Sequence, residues 1–141
     1  MTRSRPGPRG LEDAPFGRDI ADDFGAPQAI FTDPEIITVG RVEAKAIADG
    51  FRVRTVEIDI SEVIGADLQA DRYRGWAKIV VDEDRKVLLG ATFVGPGMVD
   101  HLHAATIAVT AQVPLDRLWH AVPAFPTTSE IWLHLLDAYG L

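Results

Sequence analysis

The chain contains no cysteine among its 141 residues. This excludes disulfides, thiolate metal sites and any cysteine nucleophile or redox pair. No apolar run approaches the roughly 18 residues that a membrane-spanning helix needs, so no transmembrane helix is expected. Three arginines in residues 1–10 precede no apolar segment, which does not fit a secretory signal and makes the cytoplasm the expected compartment.

Positive charge is also scarce. The chain has 14 basic and 21 acidic residues, so its formal net charge is −7. Such a surface repels nucleic acid and anionic lipid, so neither is expected as a partner. The sequence also lacks a GxGxxG loop, a Walker loop and a GxSxG nucleophile pattern. What remains is an ordinary globular composition, 47% hydrophobic and 25% charged, with the length of one domain.

The first 28 residues differ from the rest of the chain. They hold four of the nine prolines and the cluster Asp19, Asp22 and Asp23, a composition that buries little apolar surface. Three apolar residues in this stretch, Phe16, Ile20 and Phe24, are spaced to share one helical face. Residues 1–28 are therefore either a loose arm or a stub that docks on a preceding domain, and residues 29–141 form the folded domain.

Strand patterns come first in this domain and helix patterns follow. A hairpin is expected from strands 76–81 and 87–94 around an acidic turn at residues 82–86, with both faces covered. The apolar alternation in residues 51–60 changes phase, which predicts a bulge near Arg54 or Thr55. Helices are expected over residues 42–49, 98–111, 115–120 and 129–139. This order predicts an α+β fold, with helices packed on an antiparallel or mixed sheet.

The last predicted helix is apolar on more faces than one sheet contact needs. Ile131, Leu135 and Ala138 lie on one side, while Trp132, Leu133 and Leu136 lie on others. Together with Trp119, the latter three are the residues expected at a second buried surface.

Candidate catalytic and metal-binding residues are few. His101 and His103 are two apart and would point to different sides of a helix, and His120 and His134 lie in separate elements, so no metal site is expected. Glu130 and His134 are four apart on the last helix, where they could form an acid–base pair or a solvated surface pair.

Several short segments, in order, resemble the dimerisation domain of the pyridine nucleotide-disulfide oxidoreductases, the family of glutathione reductase, dihydrolipoamide dehydrogenase and mercuric reductase. The resemblance covers residues 29–141. It is carried by Phe31-Thr32-Asp33-Pro34-Glu35 with Val39-Gly40, by Gly75-Trp76-Ala77-Lys78-Ile79, by Leu89-Gly90-Ala91 with Val94-Gly95-Pro96, and by Pro126-Thr127 with Ser129-Glu130.

The resemblance implies a mostly antiparallel sheet of four to five strands backed by helices, and a homodimer built through this domain. In the family, a histidine of the terminal motif moves protons at the partner subunit's flavin, and a glutamate orients it. Phe125 takes that histidine's place here, while Glu130 keeps the glutamate's place. A phenyl ring cannot exchange a proton, so this base is missing. Phe125, Pro126 and Thr127 would lie near the partner's flavin in a full enzyme.

The family's flavin and nicotinamide domains are not in this sequence, so FAD and NAD(P) are expected in a parent enzyme and no cofactor in the isolated chain. The expected function is therefore homodimerisation, which completes the partner subunit's flavin site, with no redox activity of the chain alone. The alternative is an autonomous small-molecule-binding or catalytic α+β domain that uses Glu130, His134 or the histidines at 101 and 103.

Overall fold

A computed structural model describes residues 25–141 as one five-stranded antiparallel sheet with helices on both faces. The strand order is β1-β2-β5-β4-β3. The α+β fold and the antiparallel sheet are confirmed. The strands are β1 (Gln28–Ile30), β2 (Ile36–Gly40), β3 (Val53–Asp59), β4 (Trp76–Asp82) and β5 (Val87–Val94).

Five α-helices and three 3-10 turns complete the described part of the chain. None of these helices has the length and apolar character to cross a bilayer. The α-helices are α1 (Glu43–Ala48), α2 (Ile64–Gln69), α3 (Leu102–Thr110), α4 (Leu115–His120) and α5 (Ile131–Tyr139), and the 3-10 turns are Ile60–Glu62, Met98–His101 and Thr128–Glu130. The helices predicted at residues 98 and 129 therefore each begin with a 3-10 turn.

The main core lies between one face of the sheet and helices α3 and α5. Alternate residues of the central strands, such as Ile79 and Phe93, are fully buried there. Small residues on α3, including Ala105 and Ala108, allow the helix to approach the sheet closely. A smaller cluster of Ala46, Val80 and Leu89 lies on the opposite face under α1. Both faces of the hairpin are therefore covered, as its continuous apolar pattern predicts.

The bulge predicted near Arg54 or Thr55 is wrong. β3 pairs with β4 without interruption from Val53 to Asp59. The phase changes because the two sheet faces are covered by different groups: Val53 packs in the small cluster and Val56 in the main core. Apolar residues can then occupy either phase of a regular strand.

The irregularity of the sheet lies instead in β5. Val80 pairs with Gly90 and Val81 with Leu88, so Leu89 has no partner on β4. The backbone oxygen of Leu89 accepts a hydrogen bond from the backbone of Arg41 at 2.8 Å. The extra residue places Leu88 in the main core and Leu89 in the cluster under α1.

The faces of α5 also differ from the prediction in part. Ile131 and Leu135 are buried as expected, but Ala138 is exposed. Leu136, predicted at an outer surface, has 0% exposure and belongs to the main core of its own chain. Leu136 and Tyr139 belong to the main core, and α5 contacts β3 and β4, so this side of the helix faces the sheet.

The predicted arm at residues 1–28 lies mostly outside the described residues, as do Phe16, Ile20 and Phe24. Its last residue, Gln28, already belongs to β1 and pairs with Thr38. The regular structure thus begins one residue before the predicted boundary.

Candidate functional site

The candidate site is the irregular segment between α4 and α5, which exposes a phenyl ring. Phe125 is 70% exposed, and its peptide bond to Pro126 is cis. Val122, earlier in the same segment, is also largely exposed. We call residues 124–128, which display the Phe125 side chain, the Phe125 turn. This turn offers an apolar contact surface, and the side chain that it displays carries no titratable group.

Glu130 holds the end of this turn. Its Oε2 accepts a hydrogen bond from the backbone N–H of Thr127 at 3.0 Å, and the Thr127 side chain accepts one from the backbone of Glu130. The Thr127 hydroxyl also donates to the backbone oxygen of Ala124 at 2.6 Å. This reciprocal arrangement is a capping box, which satisfies backbone donors at the beginning of a helix.

The predicted pairing of Glu130 with His134 is wrong in both of its forms. Glu130 is only 8% exposed, so it is not a solvated surface residue. Its carboxylate binds backbone rather than an imidazole, and within residues 25–141 no hydrogen bond or ion pair joins it to His134. The sequence Thr127-Thr128-Ser129-Glu130 carries the capping-box pattern, and this signal could have identified the role of Glu130.

Helix α2 supports the turn from outside through Gly65. A Cβ atom at this position would lie 2.0 Å from the carbonyl carbon of Thr127 and 2.6 Å from the backbone nitrogen of Thr128. The two backbones therefore touch without an intervening side chain. No periodic pattern connects these distant parts of the sequence, so sequence reasoning gave no sign of this contact.

His101 supports the turn from inside. Its Nε2 lies 2.7 Å from the Thr128 hydroxyl oxygen, and the ring packs edge-on against Phe93 with 6.5 Å between centroids. Phe93 in turn packs edge-on against Trp132 at 5.5 Å. Burial lowers the pKa of His101, and the nearby Asp100 carboxylate opposes this with a smaller effect. The histidine considered as a metal ligand is thus a buried packing residue.

The turn before the His101 segment is held by two further side chains. The Tyr73 hydroxyl donates to the backbone oxygen of Pro96 at 2.7 Å, and Glu35 Oε2 accepts from the backbone of Val99 at 3.0 Å. Burial raises the pKa of Tyr73 to about 12, with a further contribution from the Glu35 carboxylate. These contacts give the Gly95-Pro96-Gly97 segment a structural role as a turn.

The residues predicted at a second buried surface divide into two groups. Trp119, Trp132 and Leu133 are only partly buried in the monomer, and the two tryptophans pack against the main core. Leu136 is inaccessible, as described above. The structure adds exposed apolar residues that sequence reasoning missed: Val122, between α4 and the Phe125 turn, and Ile64 and Leu68 on α2.

The geometry gives little support to an autonomous binding or catalytic domain built on Glu130 or the histidines. An open groove of about 930 Å³ is lined by Asp59, Arg74 and Trp76, among others, and a smaller cavity of about 150 Å³ lies beside Arg41 and Phe51. Neither of these two concavities is lined by Glu130 or by a histidine. Among residues 25–141, no three metal-capable side chains are grouped together.

Comparison with known proteins gives a consistent assignment. The profile of the family described as "Pyridine nucleotide-disulphide oxidoreductase, dimerisation domain" matches residues 26–136. Dihydrolipoyl dehydrogenase 2 of Haloarcula marismortui is 33% identical over 118 residues, which are 83% of this chain and 25% of that protein. Dihydrolipoyl dehydrogenase of Halobacterium salinarum is 36% identical over 117 residues, which are 81% of this chain and 24% of that protein.

Solved structures show the same fold. The HOCl-induced flavoprotein disulfide reductase RclA from Escherichia coli matches with a TM-score of 0.78 and 23% identity, over 92% of this chain and 30% of that chain. LpdA from Mycobacterium tuberculosis matches with a TM-score of 0.74 and 20% identity, over 82% of this chain and 25% of that chain.

The chain spans about a quarter of the length of the curated relatives it matches. The family profile covers most of the chain, and the order of strands and helices agrees with the resemblance seen in the motifs. The chain therefore belongs to the pyridine nucleotide-disulphide oxidoreductase dimerisation-domain family.

Proposed function

We propose that the chain forms a homodimer and that the Phe125 turn contributes to the contact with the second copy. The observation that carries this proposal is an exposed apolar segment on a turn held by fixed contacts. Residues of a mobile loop lose conformational entropy when they bind, whereas a turn that is already fixed loses little. Membership of a dimerisation-domain family supports the same proposal.

The partly exposed side chains of α4 and α5 are the proposed extension of this contact. Trp119 and Leu133 lie on these two helices, which pack against each other. A homodimer interface of this kind buries about 2,000 Å² or more in total and is rich in apolar side chains. Large aromatic residues with part of their surface exposed are typical centres of such interfaces.

We further propose that the parent protein is an FAD-dependent, NAD(P)-linked oxidoreductase, whose other domains are supplied in cis or in trans. A bound flavin would supply the hydride and electron transfer. The Phe125 turn fits a contact with a planar ring because it presents a phenyl ring and Pro126. It does not fit a role in binding the flavin phosphates, because it offers neither a basic side chain nor a free helix N-terminus.

In this proposal the chain shapes the flavin site of the partner subunit and excludes water from it, but it does not transfer protons. Phe125 has no proton to give, and the Glu130 carboxylate is committed to the backbone of Thr127. A parent enzyme that needs a base at this point would have to obtain it from another residue.

The oligomeric state of the chain tests the proposed dimer. Sedimentation velocity or light scattering at micromolar concentration should show a homodimer for the wild type. Leu133→Glu should shift the population to monomer, because it places a charge in the apolar contact. The matched control is Ile47→Glu, which puts the same charge on an exposed apolar position of α1 and should leave the dimer intact. A folded wild-type chain that stays monomeric would refute the proposal.

A further inference from the structure

The Phe125 turn is held by a buried imidazole that no part of the proposed function uses. His101 is 8% exposed and packs against Phe93. Within residues 25–141, its ring makes one hydrogen bond, to the hydroxyl of Thr128. His101 lies in the 3-10 turn Met98–His101, so this bond joins the beginning of α3 to the beginning of the segment that leads into α5.

The hydrogen bond between His101 and Thr128 is the contact of the turn that involves an imidazole, a group that ordinarily titrates near neutral pH. Gly65 acts by backbone contact alone and Glu130 by accepting from a backbone N–H. An imidazolium at position 101 would be a buried charge beside a neutral hydroxyl and a phenyl ring. Such a charge is costly without a close acidic partner, and the cost falls when the ring moves toward solvent.

We propose that His101 is a proton-dependent clamp on the Phe125 turn: the neutral ring holds Thr128, and protonation in mildly acidic solution releases the turn. The surface that displays Phe125 is then ordered at neutral pH and loosened at acidic pH. This behaviour belongs to the single chain and does not depend on the proposed dimer.

The charged surroundings decide the direction of this effect. The titratable groups on His101's own segment and on the elements around it are Asp100, His103, Glu35, Tyr73 and Glu130, together with Asp67 on α2 and His134, Asp137 and Tyr139 on α5. The carboxylates of Glu130 and Glu35 accept hydrogen bonds from backbone N–H groups. Asp100 favours the charged ring, but burial outweighs it and the pKa of His101 is lowered.

The direction in which stability changes with pH follows from the linkage between protonation and folding. With the lowered pKa, the folded chain binds a proton at His101 less readily than the unfolded chain, whose histidine has a pKa of about 6.5. The clamp therefore stabilises the fold fully above about pH 6.5 and loses this contribution as the pH falls toward the folded-state pKa.

Nuclear magnetic resonance of the ¹⁵N-labelled chain tests the clamp. The ring signals of His101 and the backbone amides of Phe125 and Thr128 are followed from about pH 7.5 to about pH 5, the range in which histidine titrates. The expected result is one midpoint, shared by the ring and the two amide chemical shifts, that lies below the midpoint of an exposed histidine. Amides of Phe125 and Thr128 that stay unchanged while His101 titrates would overturn the proposal.

Three variants sharpen this experiment. His101→Gln keeps a hydrogen-bonding group near the Nε2 position but cannot titrate, so its turn amides should no longer respond to pH. Thr128→Val removes the bonded hydroxyl, so its Phe125 amide should show at neutral pH the shift that the wild type reaches in acid. His120→Gln, on α4, is the control. In this variant the His101 ring and the amides of Phe125 and Thr128 should respond to pH as they do in the wild type.

The Thr128→Val result stands even if His101→Gln fails to fold. A Phe125 amide that keeps its neutral wild-type shift in Thr128→Val would refute the clamp. A turn that responds to pH equally in His101→Gln and in the wild type would refute it as well. All of these variants are compared in the Leu133→Glu background, which should be monomeric, so the readouts do not depend on dimerisation and the two proposals fail separately.

Discussion

Replacing Gly65 by alanine tests whether α2 positions the Phe125 turn. Two effects of opposite sign are expected. Alanine favours a helix over glycine by about 0.5–1 kcal/mol, which would stabilise α2. However, the new Cβ would lie 2.0 Å from the carbonyl carbon and 2.2 Å from the carbonyl oxygen of Thr127. Carbon atoms in contact are about 3.5–4.0 Å apart, so the two backbones must separate by about 1.5 Å.

The steric effect should exceed the helix preference. Overpacking of a tight contact costs about 1–3 kcal/mol, and the atoms in conflict here belong to backbone, which cannot rotate away as a flexible side chain does. The net loss should be about 1–2 kcal/mol. For a urea m-value of about 2 kcal/mol/M, this lowers the unfolding midpoint by about 0.5–1 M.

Urea unfolding at one fixed protein concentration measures this change, because the stability of a dimer depends on concentration. The control is Asp67→Ala, an exposed position in the same helix, where the change should stay within about 0.5 kcal/mol. A Gly65→Ala variant as stable as the wild type, or more stable, would show that α2 and the turn are not in backbone contact and would refute the reasoning.

Substitutions at four more positions follow from the contacts described above. Glu130→Ala should lower the free energy of unfolding by about 1–2 kcal/mol, because the backbone donor of Thr127 loses its charged acceptor, and Glu130→Gln should lose less than half of that. Tyr73→Phe should cost about 1 kcal/mol in urea unfolding. Spectrophotometric titration should show this phenol ionising near pH 12 in the folded wild type; its contribution to stability is complete below about pH 10 and is lost as the pH rises toward 12. Leu136→Ala should cost about 2–5 kcal/mol, whereas Leu133→Ala should cost the single chain less than about 1 kcal/mol and instead weaken self-association; equal losses of stability would contradict the assigned faces.

Local patterns were sufficient to predict most of the fold. The hairpin of β4 and β5 and the ends of α1 and α4 follow from apolar periodicity, glycine and proline, which act over a few residues. The interpretation failed where one strand has two covered faces, because alternation then no longer distinguishes a regular strand from a bulged one. It failed at Leu136 for a related reason: the side of a helix that meets the sheet depends on tertiary packing, which its own periodicity does not specify.

The candidate site, like the fold, could be predicted from the sequence only in part. The terminal motif located Phe125 and Glu130, and the capping-box spacing that explains Glu130 was present in the sequence. The contacts of His101 and Gly65 with the turn join segments far apart in the chain, and no short-range pattern encodes them. Sequence reasoning could therefore name the residue displayed by the turn, but not the residues that hold the turn in place.

The contacts that fix the Phe125 turn do not involve the side chain that the turn displays. Glu130 binds the backbone of Thr127, Gly65 contacts the backbone of Thr127 and Thr128, and His101 binds the Thr128 side chain. None of these contacts uses the side chain at position 125, which is largely exposed. We therefore expect the turn to keep its shape when the side chain at position 125 is replaced. The contacts that hold the turn are, on these grounds, separable from the chemistry of the side chain that the turn displays.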